Sequence, residues 1–224
     1  MDADAQNSRE FAAHYGLKAV EDLGEVARID AWLRQFINAQ HKFNFGPLTC
    51  GDNALYIGPD GFQASLRDED GRLEHDLIAQ MRNDGAEHVY IVYWNPAETL
   101  TALNVYEVPP DYDRPQYDKV FDILNYSLYG ILLDSDMRFC CMQVWEAVFL
   151  FWGPTKSVDR LIGSWHWDEY HNKVAQIDKY DFEDQAFCKA WPEVAVERDA
   201  LLAVDQYWQE TGFTPPPRSK LFKR

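Results

Sequence analysis

The densest run of chemically capable side chains is Trp165-His166-Trp167-Asp168-Glu169-Tyr170-His171. Imidazoles and carboxylates this close could ligate a divalent cation or act as general acid and base, because both residue types serve both roles. Their spacing disfavours either use. On a helix His166 and His171 stand about 140° apart, whereas helical metalloprotease histidines sit four positions apart on one face. The same composition suits a contact patch, in which Trp165, Trp167 and Tyr170 supply rigid buried area and Asp168 and Glu169 meet Arg or Lys of a partner. The plainer alternative makes the tryptophans core and leaves the acids solvated.

A second acidic and aromatic group is Asp111-Tyr112-Asp113, followed by Tyr117, Asp118 and Asp122. It comes after Pro109-Pro110, which predicts an exposed loop running into a helix, where acids at the start are favoured by the helix dipole without any further role. Asp68-Glu69-Asp70-Gly71 lacks the alternating acids and distal Glu of a calcium loop and reads as a turn. Cys50, Cys140, Cys141 and Cys188 show no zinc or disulfide spacing. Strand alternation over Met137–Val144 would turn one of Cys140 and Cys141 inward and the other outward, and a bridge between such neighbours is sterically strained. The sequence contains no phosphate-loop, dinucleotide, serine-hydrolase or zincin signature. An enzyme would have to assemble its site from dispersed residues, and no cofactor or metal is expected.

Charge narrows the partners. The 224 residues carry 37 Asp and Glu against 21 Lys and Arg, a formal charge of −16. Residues 214–224 hold four of the basic residues and no acid, leaving 17 basic against 37 acidic residues, −20, on residues 1–213. Such a surface repels nucleic-acid phosphates and anionic membranes, so neither is an expected ligand. It would speed the encounter with a basic protein partner. Solubility alone also accounts for acidic surfaces.

The elements that must position these groups follow from hydrophobic spacing. Ile29, Trp32, Leu33, Phe36 and Ile37 predict a helix over 25–39, and Leu73, Leu77, Ile78 and Met81 one over 72–82, closed by Asn83-Asp84-Gly85. Runs at 54–57 and 62–66 around Gly58-Pro59-Asp60-Gly61 read as a hairpin, as do 89–94 and 100–108 around Asn95-Pro96. A helix is expected near 116–126. Strands at 128–133, 139–144 and 147–152 are joined too tightly for anything but antiparallel neighbours. Gly153-Pro154-Thr155 is expected to open a short helix to Ile162, and Val196, Leu201, Val204, Tyr207 and Trp208 predict a helix from Pro192 to about Thr211. The expected fold is α+β, an antiparallel sheet of about seven strands with helices packed on it. Residues 1–213 would form one domain, with 1–45 as a helical appendage at most, followed by the basic tail 214–224. The longest uncharged apolar stretch, Ala147–Trp152, is far shorter than the ~20 residues that cross a bilayer, and the N-terminus lacks signal-peptide regions. A cytoplasmic protein is expected.

Tyr129–Ile162 combines a strand with an acidic turn, a second strand, the run Trp145-Glu146-Ala147-Val148-Phe149-Leu150-Phe151-Trp152, and Gly153-Pro154. This segment resembles the end of the sheet in several bacterial toxin-immunity protein families, over about 34 of the 224 residues, and transfers no functional residue. The resemblance implies an acidic binding protein that blocks a cognate basic toxin, commonly a nuclease. The expected function is therefore non-enzymatic binding of immunity or inhibitor type, with Trp165, Trp167, Asp168, Glu169, Tyr170, Asp111, Tyr112 and Asp113 as partner-contacting residues. The alternatives are a small enzyme with a dispersed site and a regulatory interaction module.

Overall fold

The computed structural model describes residues 9–10, 12–14, 16–45, 53–58, 72–111, 129–144, 148–154, 156, 185–190 and 192–212. In chain order these form β1 (Lys18–Ala19), α1 (Leu23–Leu33), β2 (Asn53–Gly58), α2 (Arg72–Asn83), β3 (Val89–Trp94), β4 (Val105–Glu107), β5 (Tyr129–Asp134), β6 (Cys140–Val144), β7 (Val148–Pro154), α3 (Gln185–Ala190) and α4 (Pro192–Thr211). The strands make one antiparallel sheet in the order β1-β4-β3-β5-β6-β7-β2. Six of them run three to seven residues, and β1 contributes only two at the edge. The α+β class is as expected.

Alternation along the strands sorts the core into two layers. Tyr90, Val92 and Trp94 of β3, Tyr129, Ile131 and Leu133 of β5, Cys140 and Met142 of β6, and Leu150 and Trp152 of β7 share one cluster with Val26, Ile29 and Leu33 of α1 and Leu201, Val204, Tyr207 and Trp208 of α4. The alternate residues Val89, Ile91, Leu132, Cys141 and Phe151 are buried too, as are Ile78 and Met81 of α2, which contacts β3. With both faces covered, β3 and β5 are buried at every position. Strand alternation therefore does not expose either neighbouring cysteine: Cys140 and Cys141 are both buried thiols, and burial pushes the Cys140 thiol far up.

Several boundaries differ from the sequence expectation. The first helix stops at Leu33, and Phe36 and Ile37 instead enter a turn closed by a bridge from Ile37 to Phe43. Within residues 17–45, β1 pairs with β4, and Phe36, Ile37 and Phe45 join the α1 cluster. A turn at Thr101–Asn104 consumes the start of the expected strand 100–108, with Asn104 N donating to Thr101 O at 2.9 Å and the Thr101 hydroxyl donating to Asn104 Oδ1 at 2.6 Å, so that β4 begins at Val105. Strand β2 pairs with β7, and its expected hairpin partner 62–66 lies outside the described residues.

Gly153 and Pro154 extend β7 opposite Ala54 and Asn53, so the helix expected to open at Gly153 starts after them: Lys156 is helical, and the rest of the expected helix to Ile162 lies outside the described residues. A side chain at Gly153 would lie 2.7 Å from Phe139 Cδ2, so the glycine lets the buried Phe139 ring sit against the strand. Gly85, at φ +93, ends α2 as expected, with Ala86 N donating back to Met81 O at 3.0 Å. The expected helix 116–126 lies outside the described residues. No described helix is long and apolar enough to cross a membrane.

Candidate functional site

The sheet order brings the β1–β4–β3 edge, the first turn of α1 and the β5–β6 turn around a cleft of about 570 Å³. Register sets its floor. Lys18 stands opposite Glu107 and Glu107 opposite Tyr90, which places one side chain from each of three strands in a row on the α1 face. His88, two residues before Tyr90, shares that face, and its ring stacks on the Tyr90 ring with centroids 6.2 Å apart and planes 15° apart.

The backbone of His88 is held from the β5–β6 turn. Its N–H donates to Ser135 Oγ at 3.2 Å, and its carbonyl accepts from Ser135 N at 2.9 Å. The imidazole Nδ1 lies 2.6 Å from Glu107 Oε1. An ionised carboxylate only accepts, so Nδ1 carries the proton, and Nε2 is left 3.7 Å from Glu87 Oε1. The histidine thus stands between two carboxylates.

The α1 wall is organised by Asp22 and Glu25. Asp22 Oδ1 accepts from Gly24 N at 2.8 Å and caps the helix, whose exposed N–H groups need such an acceptor. Glu25 accepts from Arg28 Nη2 at 2.6 Å and Nε at 2.8 Å. These bonds hold its carboxyl below the ordinary range against the opposing effect of burial. Arg28 also donates from Nη2 to Ser135 O at 2.5 Å, joining α1 to the turn that holds His88. The Tyr90 hydroxyl bonds to Glu25; burial first, and then the Glu25 charge, push its pKa far upward, so it remains a neutral donor.

Carboxylates outnumber cations here. Glu21, Asp22, Glu25, Glu87, Glu107 and Asp136 line the cleft with Lys18 and Arg28. Three of the six are committed within the fold: Asp22 caps α1, Glu25 is neutralised by Arg28, and Asp136 pairs with Arg138 at 3.0 Å. Glu21, Glu87 and Glu107 keep oxygens directed to solvent or to the histidine, and Glu21 and Glu87 are exposed. The arrangement can accept cationic hydrogen-bond donors. Among the described residues no group of three His, Cys, Asp or Glu could hold a metal ion.

Of the residues singled out from sequence, Asp111 is described. It is exposed, and its charge acts on Arg82, whose guanidinium donates to the carbonyls of Val108 at 3.0 Å, Pro109 at 2.7 Å and Pro110 at 3.1 Å. Its local role is thus to face the residue that ties α2 to the end of β4. Tyr112, Asp113, Trp165, Trp167, Asp168, Glu169 and Tyr170 lie outside the described residues.

Glu25 and Arg28 form an i,i+3 pair on α1, while His88 precedes β3 and Glu107 ends β4, so the site was missed because no local spacing links the histidine to its carboxylate or to the α1 pair. The one sequence signal was the pattern Asp22-x-x-Glu25 ahead of an apolar helix, which resembles a capping box and in the fold anchors the cleft wall. No family model, no curated protein and no solved structure matches the chain.

Proposed function

We propose that this chain is a non-enzymatic acidic binding protein that receives a basic protein partner, of the immunity or inhibitor type implied by the resemblance of residues 129–162. The observation that carries this is the cleft, where Glu21 and Glu87 are exposed and Glu107 is bonded to His88, beside the β1 edge of the described sheet. The net charge of −16 extends the same field outward and accelerates encounter with a cationic surface. In this mechanism the carboxylates stand where a nuclease toxin would otherwise meet phosphates. Trp165, Trp167, Asp168, Glu169, Tyr170, Asp111, Tyr112 and Asp113 are further partner-contacting residues of the proposal.

The test uses the full chain immobilised beside a Glu21→Lys/Glu87→Lys variant and an Asp168→Lys/Glu169→Lys variant, each challenged with lysate from the source organism. A basic protein should be retained by the parent chain and released as salt rises, because screening weakens exposed charge pairs. Its association with the variants should slow by about tenfold or more, the scale of electrostatic steering. Retention of acidic proteins only, or association rates identical across all three chains, rejects the proposal.

The His88–Glu107 pair favours a second reading, an enzyme with a dispersed site. A carboxylate that fixes the Nδ1 proton leaves Nε2 as a proton acceptor inside a cleft, the arrangement a general base requires. Turnover of any cationic ester or amide that disappears in His88→Gln would support it.

A further inference from the structure

The proposed binding role leaves open what form of partner the cleft accepts, and the edge of the sheet bears on that. Strand β1 is the last in the sheet order, so among the described residues one of its sides has no neighbouring strand. Lys18 pairs with Glu107 and Ala19 with Tyr106, and Val20 N donates to Val105 O at 3.0 Å. In an antiparallel ladder the hydrogen-bonding residues alternate, so Lys18 and Val20 turn their main-chain groups to β4 while the N–H and C=O of Ala19 point away from it. The cleft is lined by this same stretch, Lys18 to Asp22. Leu23, beside it, is 71% exposed, one of two large apolar side chains among the described residues left so open.

Resting on the binding role above, we propose that the occupant is an extended basic segment of the partner, added as a strand along β1. Its main chain would pair with Ala19, and its alternate side chains, turned to the α1 face, would carry Lys or Arg toward Glu21, Glu87 and Glu107. An apolar residue of the segment covers Leu23. Charge decides against a second copy of this chain, since pairing two β1 edges would bring two −16 molecules together at their carboxylate-lined clefts. The shortness of β1 also discourages such edge-to-edge pairing.

The experiment titrates the full chain by calorimetry with an octapeptide of alternating Arg and Val, and follows amide exchange at Ala19. Two further peptides carry N-methyl groups on alternate amides, one in each register, which removes main-chain donors and keeps every charge. The expected result is binding by the parent peptide, about tenfold or greater weakening by N-methylation in one register and little in the other, and slower exchange at Ala19. Glu21→Lys/Glu87→Lys should weaken all the peptides that bind. If all three peptides bind alike and Ala19 exchange is unchanged, while the charge reversal still weakens them, strand addition is wrong and the electrostatic role stands. If no peptide binds, or an alternating Glu and Val peptide binds as well, the electrostatic role fails and strand addition with it. Self-association that protects Ala19 in the absence of peptide would make a second copy the occupant and overturn the proposal.

Discussion

Replacing Arg28 with alanine should separate what the cleft wall does for folding from what it does for binding. Arg28 makes two bonds to Glu25, at 2.6 and 2.8 Å, and one to Ser135 O, at 2.5 Å. Its side chain is 47% exposed and that of Glu25 20%, so solvent screens the pair. An ion pair of this exposure contributes about 0.2–1 kcal/mol, and the bond to Ser135 O adds about 0.5–1.5 kcal/mol. The expected loss at pH 7 is about 1–2 kcal/mol. Its pH dependence carries a definite sign. Glu25 has a lowered folded-state pKa, chiefly through Arg28, so this part of the stability is present above the carboxylate's unfolded value and is lost as pH falls through the folded one. Urea unfolding of both chains, followed by tryptophan fluorescence, should therefore show a gap that narrows between pH 7 and pH 3. Binding should move the opposite way, because the variant frees the Glu25 carboxylate in the cleft: cationic peptides should associate faster, with a steeper salt dependence. A stability gap that does not change with pH, or slower association, would refute the assigned roles of Glu25 and Arg28.

Two further substitutions test how the sheet itself is held together. Gly153→Ala places a methyl group 2.7 Å from Phe139 Cδ2 and should cost about 1–3 kcal/mol in thermal or chemical unfolding, with Phe139→Leu recovering part of it; an alanine variant as stable as the parent would show that the close approach of ring and strand is not needed. Asp134, only 2% exposed, accepts from Arg138 N at 2.7 Å and Phe139 N at 2.8 Å across the β5–β6 turn. Asp134→Ala should cost about 1–3 kcal/mol by leaving these donors without that acceptor, and Asp134→Asn less. The asparagine keeps an accepting oxygen and removes a carboxyl whose pKa burial has raised, so its deficit should shrink further as pH rises and the parent's buried carboxyl ionises. Equal losses for both replacements would remove hydrogen-bond acceptance as the reason for the residue.

What could be read from sequence, and what could not, divides according to how local the controlling physics is. The β5–β6–β7 meander was foreseeable because its connections are too short for a crossover, and α4 because Leu201, Val204, Tyr207 and Trp208 recur at helical spacing. At Gly153-Pro154 only the boundary differed: both residues suit a helix start, but the distant Phe139 ring and pairing with β2 keep them in the strand, and Lys156 just beyond is helical. The cleft depends on a still longer chain of placements. Glu107 faces His88 because β3 and β4 pair in one register, and Arg28 reaches Ser135 because α1 crosses the face where the β5–β6 turn ends. Shifting that register by one residue would turn Glu107 to the opposite face, where Tyr106 is now buried, and would bring Tyr106 into the cleft. The burial of Tyr106 and Val105, and not any attraction between charged groups, therefore fixes where the carboxylate stands. A field gathered in this way is a consequence of core packing, and variants that loosen the β3–β4 pairing should lose binding without touching a single charge.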